Sequence, residues 1–93
     1  MRLDKEDDII IVDVRTLEEY NQEHIKNAIL LPLDSIGENT ATVIPYKDDI
    51  YFVYCRSGNR SATASLQLVE MGYKNIYDLG GILDWPYEKE SSP

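Results

Sequence analysis

Two short stretches of this chain are apolar on every residue, and they limit the fold more than any other feature. Ile9-Ile10-Ile11-Val12, closed by Asp13, and Ile50-Tyr51-Phe52-Val53-Tyr54 are β-branched and aromatic runs with no polar alternation. A strand that faces water on one side alternates. A run that does not alternate is covered on both faces, as in a parallel sheet flanked by helices. Ala28 to Leu31, stopped by Pro32, and Asn75 to Leu79, stopped by Gly80-Gly81, read as two further strands. Helical segments fall between them. Thr16 to Gln22 has Thr16 at the N-cap and Glu19 three residues on, the capping-box spacing. Ser61 to Met71 carries Ala62, Leu66 and Val69 at helical spacing, an expected apolar stripe, with Gly72 as the C-terminal stop. Short helices are expected at Leu33 to Ile36 and at Ile82 to Trp85. Strands alternating with helices predict an α/β domain with a mostly parallel sheet of four to five strands, in which chemistry collects at the carboxyl ends of the strands.

The 93 residues suit one core, here expected over 1–88, with a polar, flexible tail over 89–93. The chain has 17 acidic and 9 basic residues, a net charge of −8, which argues against nucleic acid or an anionic membrane surface as the main partner. The seven tyrosines are scattered without the basic interleaving that would bind single-stranded nucleic acid. One cysteine excludes an internal disulfide framework and a CxxC redox pair, and with one histidine it cannot supply the four ligands of a structural zinc site. No metal or other cofactor is expected. Met1 to Asp8 has no apolar segment behind a basic start, and the longest apolar run, Ile9 to Val12, is far too short to span a bilayer. The expected location is cytoplasmic, where a lone thiol stays reduced.

That lone thiol stands where the architecture puts chemistry. Cys55 closes the second apolar run and is followed by Arg56-Ser57-Gly58-Asn59-Arg60 before the helix begins near Arg60 or Ser61. Gly58 allows a positive φ, and Asn59 tolerates one better than most residues. A tight turn of this kind aims successive backbone N–H groups at one point, forming an anion nest at a helix N-terminus, and Arg56 and Arg60 add positive charge. From Ile50 to Val69 there is no acidic residue, so this window has a net charge of +2 inside a chain of −8. The same features depress a thiol pKa and predict substantial thiolate at neutral pH. A lone cysteine is more often a small buried hydrophobe than a nucleophile. The two arginines and the glycine that follow favour the nucleophile, because no packing reason explains them there.

The chain resembles a single-domain rhodanese, a thiosulfate sulfurtransferase-like domain, over nearly its full length. The matching pieces are Ile11-Val12-Asp13-Val14-Arg15, Glu18-Glu19-Tyr20, His24-Ile25-Lys26-Asn27-Ala28 and Leu31-Pro32-Leu33. They continue with Val53-Tyr54-Cys55-Arg56-Ser57-Gly58-Asn59-Arg60-Ser61 and Gly80-Gly81-Ile82-Leu83-Asp84-Trp85. The Cys-Arg-Ser-Gly-x-Arg-Ser piece is highly specific. The others are weak singly but come in the right order. The resemblance implies a three-layer α/β/α domain and a sulfur-transfer cycle. Cys55 would take sulfane sulfur from a small anionic donor such as thiosulfate and hold it as a persulfide. The N–H groups from Arg56 through Ser57, Gly58 and Asn59 to Arg60 would cradle that sulfur, and Arg56 and Arg60 would attract the donor. An external thiol or protein, or cyanide in vitro, would accept the sulfur, since the chain has no second cysteine. A sulfur carrier or regulatory module with little turnover is the alternative. A phosphatase or arsenate reductase is disfavoured by loop length: those enzymes place five residues between Cys and Arg, whereas Cys55 and Arg60 enclose four and position 61 is Ser.

Asp13 and Arg15 lie at the carboxyl end of the first strand, on the same edge as Cys55. Asp13 either shapes the active-site loop or joins a structural pairing, and Arg15 reads as structural, for example paired with Glu19. His24 reads as part of a structural turn rather than a general base, and Asn27 stands where the family's turn usually has glycine. Gly80 and Gly81 are expected to let the backbone pass close to the loop. Trp85 reads as core rather than pocket rim. Only eight residues precede Ile9, where the family usually carries a short strand and helix, so four main strands with a more exposed edge are expected.

Overall fold

The computed structural model describes residues 9–82 and 89–90. Strands β1 (Ile9–Asp13), β3 (Ile29–Leu30), β4 (Ile50–Cys55) and β5 (Asn75–Gly81) form one parallel sheet in the order β3-β1-β4-β5. The two apolar runs lie side by side in the middle, with Ile9 opposite Ile50 and Asp13 opposite Tyr54. Helices cover both faces, as the lack of alternation requires. On one face α3 (Asn59–Glu70) and α2 (Thr40–Val43) close the main core, in which Val12, Tyr51, Val53, Ala64 and Leu68 are all fully buried. On the other, α1 (Leu17–Gln22) and the short strand β2 (His24–Ile25) pack Tyr20 and Ile25 against Ile11 and Tyr54.

Local chemistry explains the ends of these elements. Thr16 and Glu19 cap α1 reciprocally, the Thr16 hydroxyl accepting from the Glu19 N–H and the Glu19 carboxylate accepting from the Thr16 N–H at 3.0 Å. Gly72, with φ of +101°, ends α3 in a Schellman turn: the Tyr73 N–H reaches the Leu68 carbonyl and the Gly72 N–H that of Val69. A 3-10 turn stands at Leu33–Ser35. Asn27 takes the positive φ its turn requires, at +69°.

One expectation about packing changes. The stripe Ala62, Leu66 and Val69 faces solvent, with Leu66 68% and Val69 54% exposed; the buried face of α3 is Ser61, Ala64 and Leu68. The helix is turned by its N-terminus, whose first N–H groups point at the β4 end, and its small residues Ser61 and Ala64 allow close approach to the sheet. The polar Ser61 belongs to the inner face and hides that phase from a hydrophobicity reading. Lys89–Glu90 form β6, antiparallel to β2, with His24 opposite Glu90 and Ile25 opposite Lys89. The free edge of β2 presents backbone groups that a returning chain satisfies. Ile82 is buried, while Trp85 and the rest of the expected helix from Ile82 to Trp85 lie outside the described residues.

Candidate active site

The carboxyl ends of β1 and β4 are neighbours, and each carries one polar cluster. At the end of β1 lies Asp13, fully buried. Arg15 Nε and Nη2 donate to its two carboxylate oxygens, the shortest contact being 2.7 Å, and the Arg15 N–H donates at 2.9 Å. The Tyr54 hydroxyl donates to Asp13 at 2.7 Å and accepts from the Ile25 N–H at 3.0 Å. Burial, reinforced by the adjacent Asp13 carboxylate, holds the Tyr54 phenol well above its ordinary value, so it stays a donor. Arg15 Nη2 also donates to the Glu23 carbonyl at 2.5 Å. This cluster ties β1, β4, α1 and β2 together. Arg15 therefore pairs with Asp13, not with Glu19.

The end of β4 is built differently. Cys55 is 1% exposed and its Cβ side packs in the main core, yet its Sγ accepts the Gly58 N–H at 2.9 Å. Gly58 makes this turn possible with φ of +108° and forms the N-cap of α3, so the helix begins at Asn59. Burial pushes the Cys55 thiol up. Backbone N–H groups of Ser61, Gly58 and Arg60 outweigh it, and the thiol lies below its ordinary value. Backbone donors of the helix N-terminus thus carry the main stabilisation of the thiolate, more than the arginine charges that the sequence emphasised. Gly81, paired opposite Cys55, explains the Gly-Gly turn: a Cβ there would overlap the Arg56 carbonyl oxygen and Ser57 Cα.

The two loop arginines part company. Arg56 is exposed, as are Ser57 and Asn59. Arg60 binds Glu19 of α1 in a two-pronged ion pair at 2.8 and 3.0 Å, and this bonding holds the Glu19 carboxyl down at about 2. A cavity of about 300 Å³ opens beside the loop, lined by Arg15, Glu19, Gln22, Glu23, Arg56 and Ile82. A larger hollow of about 560 Å³ lies over residues 45–49, at the amino end of β4 and away from the thiol. His24 is 6% exposed, its ring stacked 3.9 Å from Tyr20 and its Nδ1 2.8 Å from the Tyr20 carbonyl oxygen, which is a packing role. Among the described residues no cluster of three or more His, Cys, Asp or Glu forms a metal site.

Sequence reasoning missed three contributors: Ser61, Asp78 and the Glu19–Arg60 pair. Ser61 was legible only as the polar member of the buried face with Ala64 and Leu68. Asp78 and Glu19 meet the loop from distant parts of the chain.

A family model of the rhodanese-like domain matches residues 1–87. The chain belongs to the rhodanese-like family. It is 44% identical over 73 residues to the thiosulfate sulfurtransferase PspE of Escherichia coli, covering 78% of this chain and 70% of that protein. It is 32% identical over 90 residues to the putative sulfur carrier protein YrkF of Bacillus subtilis, covering 96% of this chain but only 48% of that protein. The solved structure of a rhodanese with anions from E. coli superposes with a TM-score of 0.83 at 40% identity, covering 89% of this chain and 98% of that one. The sheet with helices on both faces is thus the rhodanese fold. Among the described residues no helix is long and apolar enough to cross a membrane.

Proposed function

We propose that the protein is a sulfurtransferase that moves sulfane sulfur from thiosulfate or a persulfide donor through a persulfide on Cys55. The observation that carries this reading is the Cys55 Sγ set at the N-terminus of α3, accepting the Gly58 N–H and lowered in pKa by the surrounding donors. In the first half-reaction the Cys55 thiolate attacks the outer sulfur of thiosulfate. The Cys55 S–S bond forms, the thiosulfate S–S bond breaks, and sulfite leaves with the electron pair. The new terminal sulfur is anionic, and the N–H groups from Arg56 to Arg60 suit it as they suit the thiolate. In the second half-reaction cyanide or an external thiol attacks that terminal sulfur and Cys55 leaves as thiolate.

Arg56, exposed at the mouth of the loop, is the residue proposed to draw in the anionic donor. Arg60 is engaged by Glu19, so its contribution is to brace the loop against α1 and to present its backbone N–H. Asp13 and Arg15 support the site through the fold. The acceptor comes from outside the chain, because there is no second cysteine. A reducing compartment such as the cytoplasm suits a reactive lone thiol. The likeness to a putative sulfur carrier favours one second reading, in which Cys55 carries sulfur with little steady-state turnover.

Intact mass after incubation with thiosulfate, followed by thiocyanate formation on adding cyanide, separates these readings. The enzyme gains one sulfur and turns over; the carrier gains one sulfur and turns over negligibly. A wild-type protein that gains no sulfur, or a Cys55→Ala variant that still forms thiocyanate, overturns both.

A further inference from the structure

Opposite the loop, β5 carries an irregularity whose polar atoms all converge on the same helix turn. The register of β5 against β4 slips after Asp78: Val53 pairs with Asp78, but Tyr54 pairs with Gly80. The Asp78 carboxylate closes this bulge on itself, its Oδ1 accepting the Gly80 N–H at 2.8 Å, while Gly80 takes φ of +86°. The same Oδ1 accepts the Ser61 hydroxyl at 2.7 Å. Ser61 is fully buried in the first turn of α3, and its oxygen also lies 3.1 Å from the Gly58 carbonyl oxygen and 3.4 Å from that of Gly80. The backbone of the bulge touches the loop directly, with Gly80 against Gly58 and Gly81 against Arg56 and Ser57.

Nothing in the packing of the sheet asks for a carboxylate here. Asp78 is an exposed residue on an edge strand, and its side chain spends one oxygen on two donors that both belong to the surroundings of the loop. We propose that Asp78 is a positioning residue for Cys55, pinning the Ser61 hydroxyl and the β5 bulge so that the loop's donors stay around the sulfur. The proposal rests on Cys55 being the reactive group. The link is structural: Ser61 sits in the first turn of α3, which Gly58 caps, and the Gly58 N–H donates to the Cys55 Sγ at 2.9 Å while its backbone lies against Gly80. One hydroxyl has one proton. With Asp78 as the nearest acceptor, that proton goes to the carboxylate and ties the first turn of α3 to the β5 bulge instead of turning to either carbonyl. The other charged groups of this neighbourhood are Arg56 and Arg60 on the loop and Glu19, which reaches it through Arg60.

A purely electrostatic role for Asp78 predicts the opposite behaviour, because a nearby negative charge disfavours a thiolate. The experiment measures alkylation of Cys55 by iodoacetamide as a function of pH, with melting temperature as the control for folding. Asp78→Ala is expected to slow alkylation at pH 7 by about fivefold and to move its midpoint upward. Asp78→Asn, which keeps an acceptor for both donors but no charge, recovers most of that loss. Ser61→Ala reads the same link from the helix side and slows alkylation to a similar extent, and the Ser61→Ala/Asp78→Ala double variant is no slower than the worse single one. Unchanged alkylation in Asp78→Ala or in Ser61→Ala overturns the proposal. So does a downward midpoint in both Asp78 variants, or fully additive losses in the double variant. Alkylation needs no sulfur donor. A wild-type protein that fails to take up sulfur therefore refutes the sulfurtransferase reading, while the Asp78 test is still decided by its own outcomes.

Discussion

The polar clusters at the ends of β1 and β4 sit one strand apart and have opposite characters. Around Asp13 the polar groups find their partners inside the fold: the carboxylate takes the Arg15 guanidinium, the Arg15 N–H and the Tyr54 hydroxyl, and Tyr54 in turn takes the Ile25 N–H. Around Cys55 the sulfur accepts the Gly58 N–H, and the N–H groups at the start of α3 hold its thiol below the ordinary value. The first arrangement is complete without a ligand. The second is suited to a group that gains or exchanges an anionic atom. A buried charge whose partners are all internal holds structure together. A buried sulfur with backbone donors turned toward it is the arrangement that the proposed sulfur transfer needs.

That contrast can be broken in graded ways. The largest effect is at Cys55. Cys55→Ala abolishes sulfur uptake by intact mass and thiocyanate formation, while the melting temperature stays close to the wild type. Second is Asp13→Asn, which leaves the Arg15 guanidinium without its buried counter-charge and costs about 3–5 kcal/mol in urea denaturation. Its Cys55, in the fraction still folded, keeps wild-type alkylation kinetics. A change in thiol reactivity larger than the change in folded fraction would mean that the two clusters are one.

Gly81→Ala tests the close approach directly. The added methyl meets the Arg56 carbonyl, so the loop must shift, with a cost of about 1–3 kcal/mol and slower Cys55 alkylation. Arg56→Ala raises the KM for thiosulfate about tenfold with no change in melting temperature, and the effect shrinks as salt rises. The smallest effect is at Glu19→Gln, at most about 1 kcal/mol, since the ion pair with Arg60 is part-exposed. Its pH dependence has a fixed sign. The Glu19 carboxyl is held at about 2 against an ordinary 4.5, so the pair stabilises the fold fully above about 4.5 and is lost as pH falls through 2. Acid titration of stability from pH 5 to 2 is therefore shallower in Glu19→Gln than in the wild type.

Much of this was readable before any coordinates. The strands came from unbroken apolar runs, the α1 start from the Thr16–Glu19 spacing, the loop from Cys55-Arg56-Ser57-Gly58-Asn59-Arg60, and the close passage at Gly80-Gly81 from glycine alone. The face that α3 buries was not readable, because its inner positions include the polar Ser61 while Leu66 and Val69 face solvent. Nor was the pairing of β6 with β2, since a two-residue strand has no periodicity to detect.

The sequence by itself determined the architecture and the place of Cys55 at a strand end before a helix. Apolar runs, caps and glycines act over a few residues, and their physics is local. Only the tertiary structure decided which partner each charge takes. Arg15 goes to Asp13, two residues away; Arg60 goes to Glu19, 41 residues away; and Ser61 goes to Asp78, 17 residues away. An arginine can satisfy any carboxylate within reach, and reach is set by how helices and strands pack. That is why Arg60 counted as a donor-binding charge in the sequence and became a brace in the fold, while Asp78 had no expected role and came to lie at the loop.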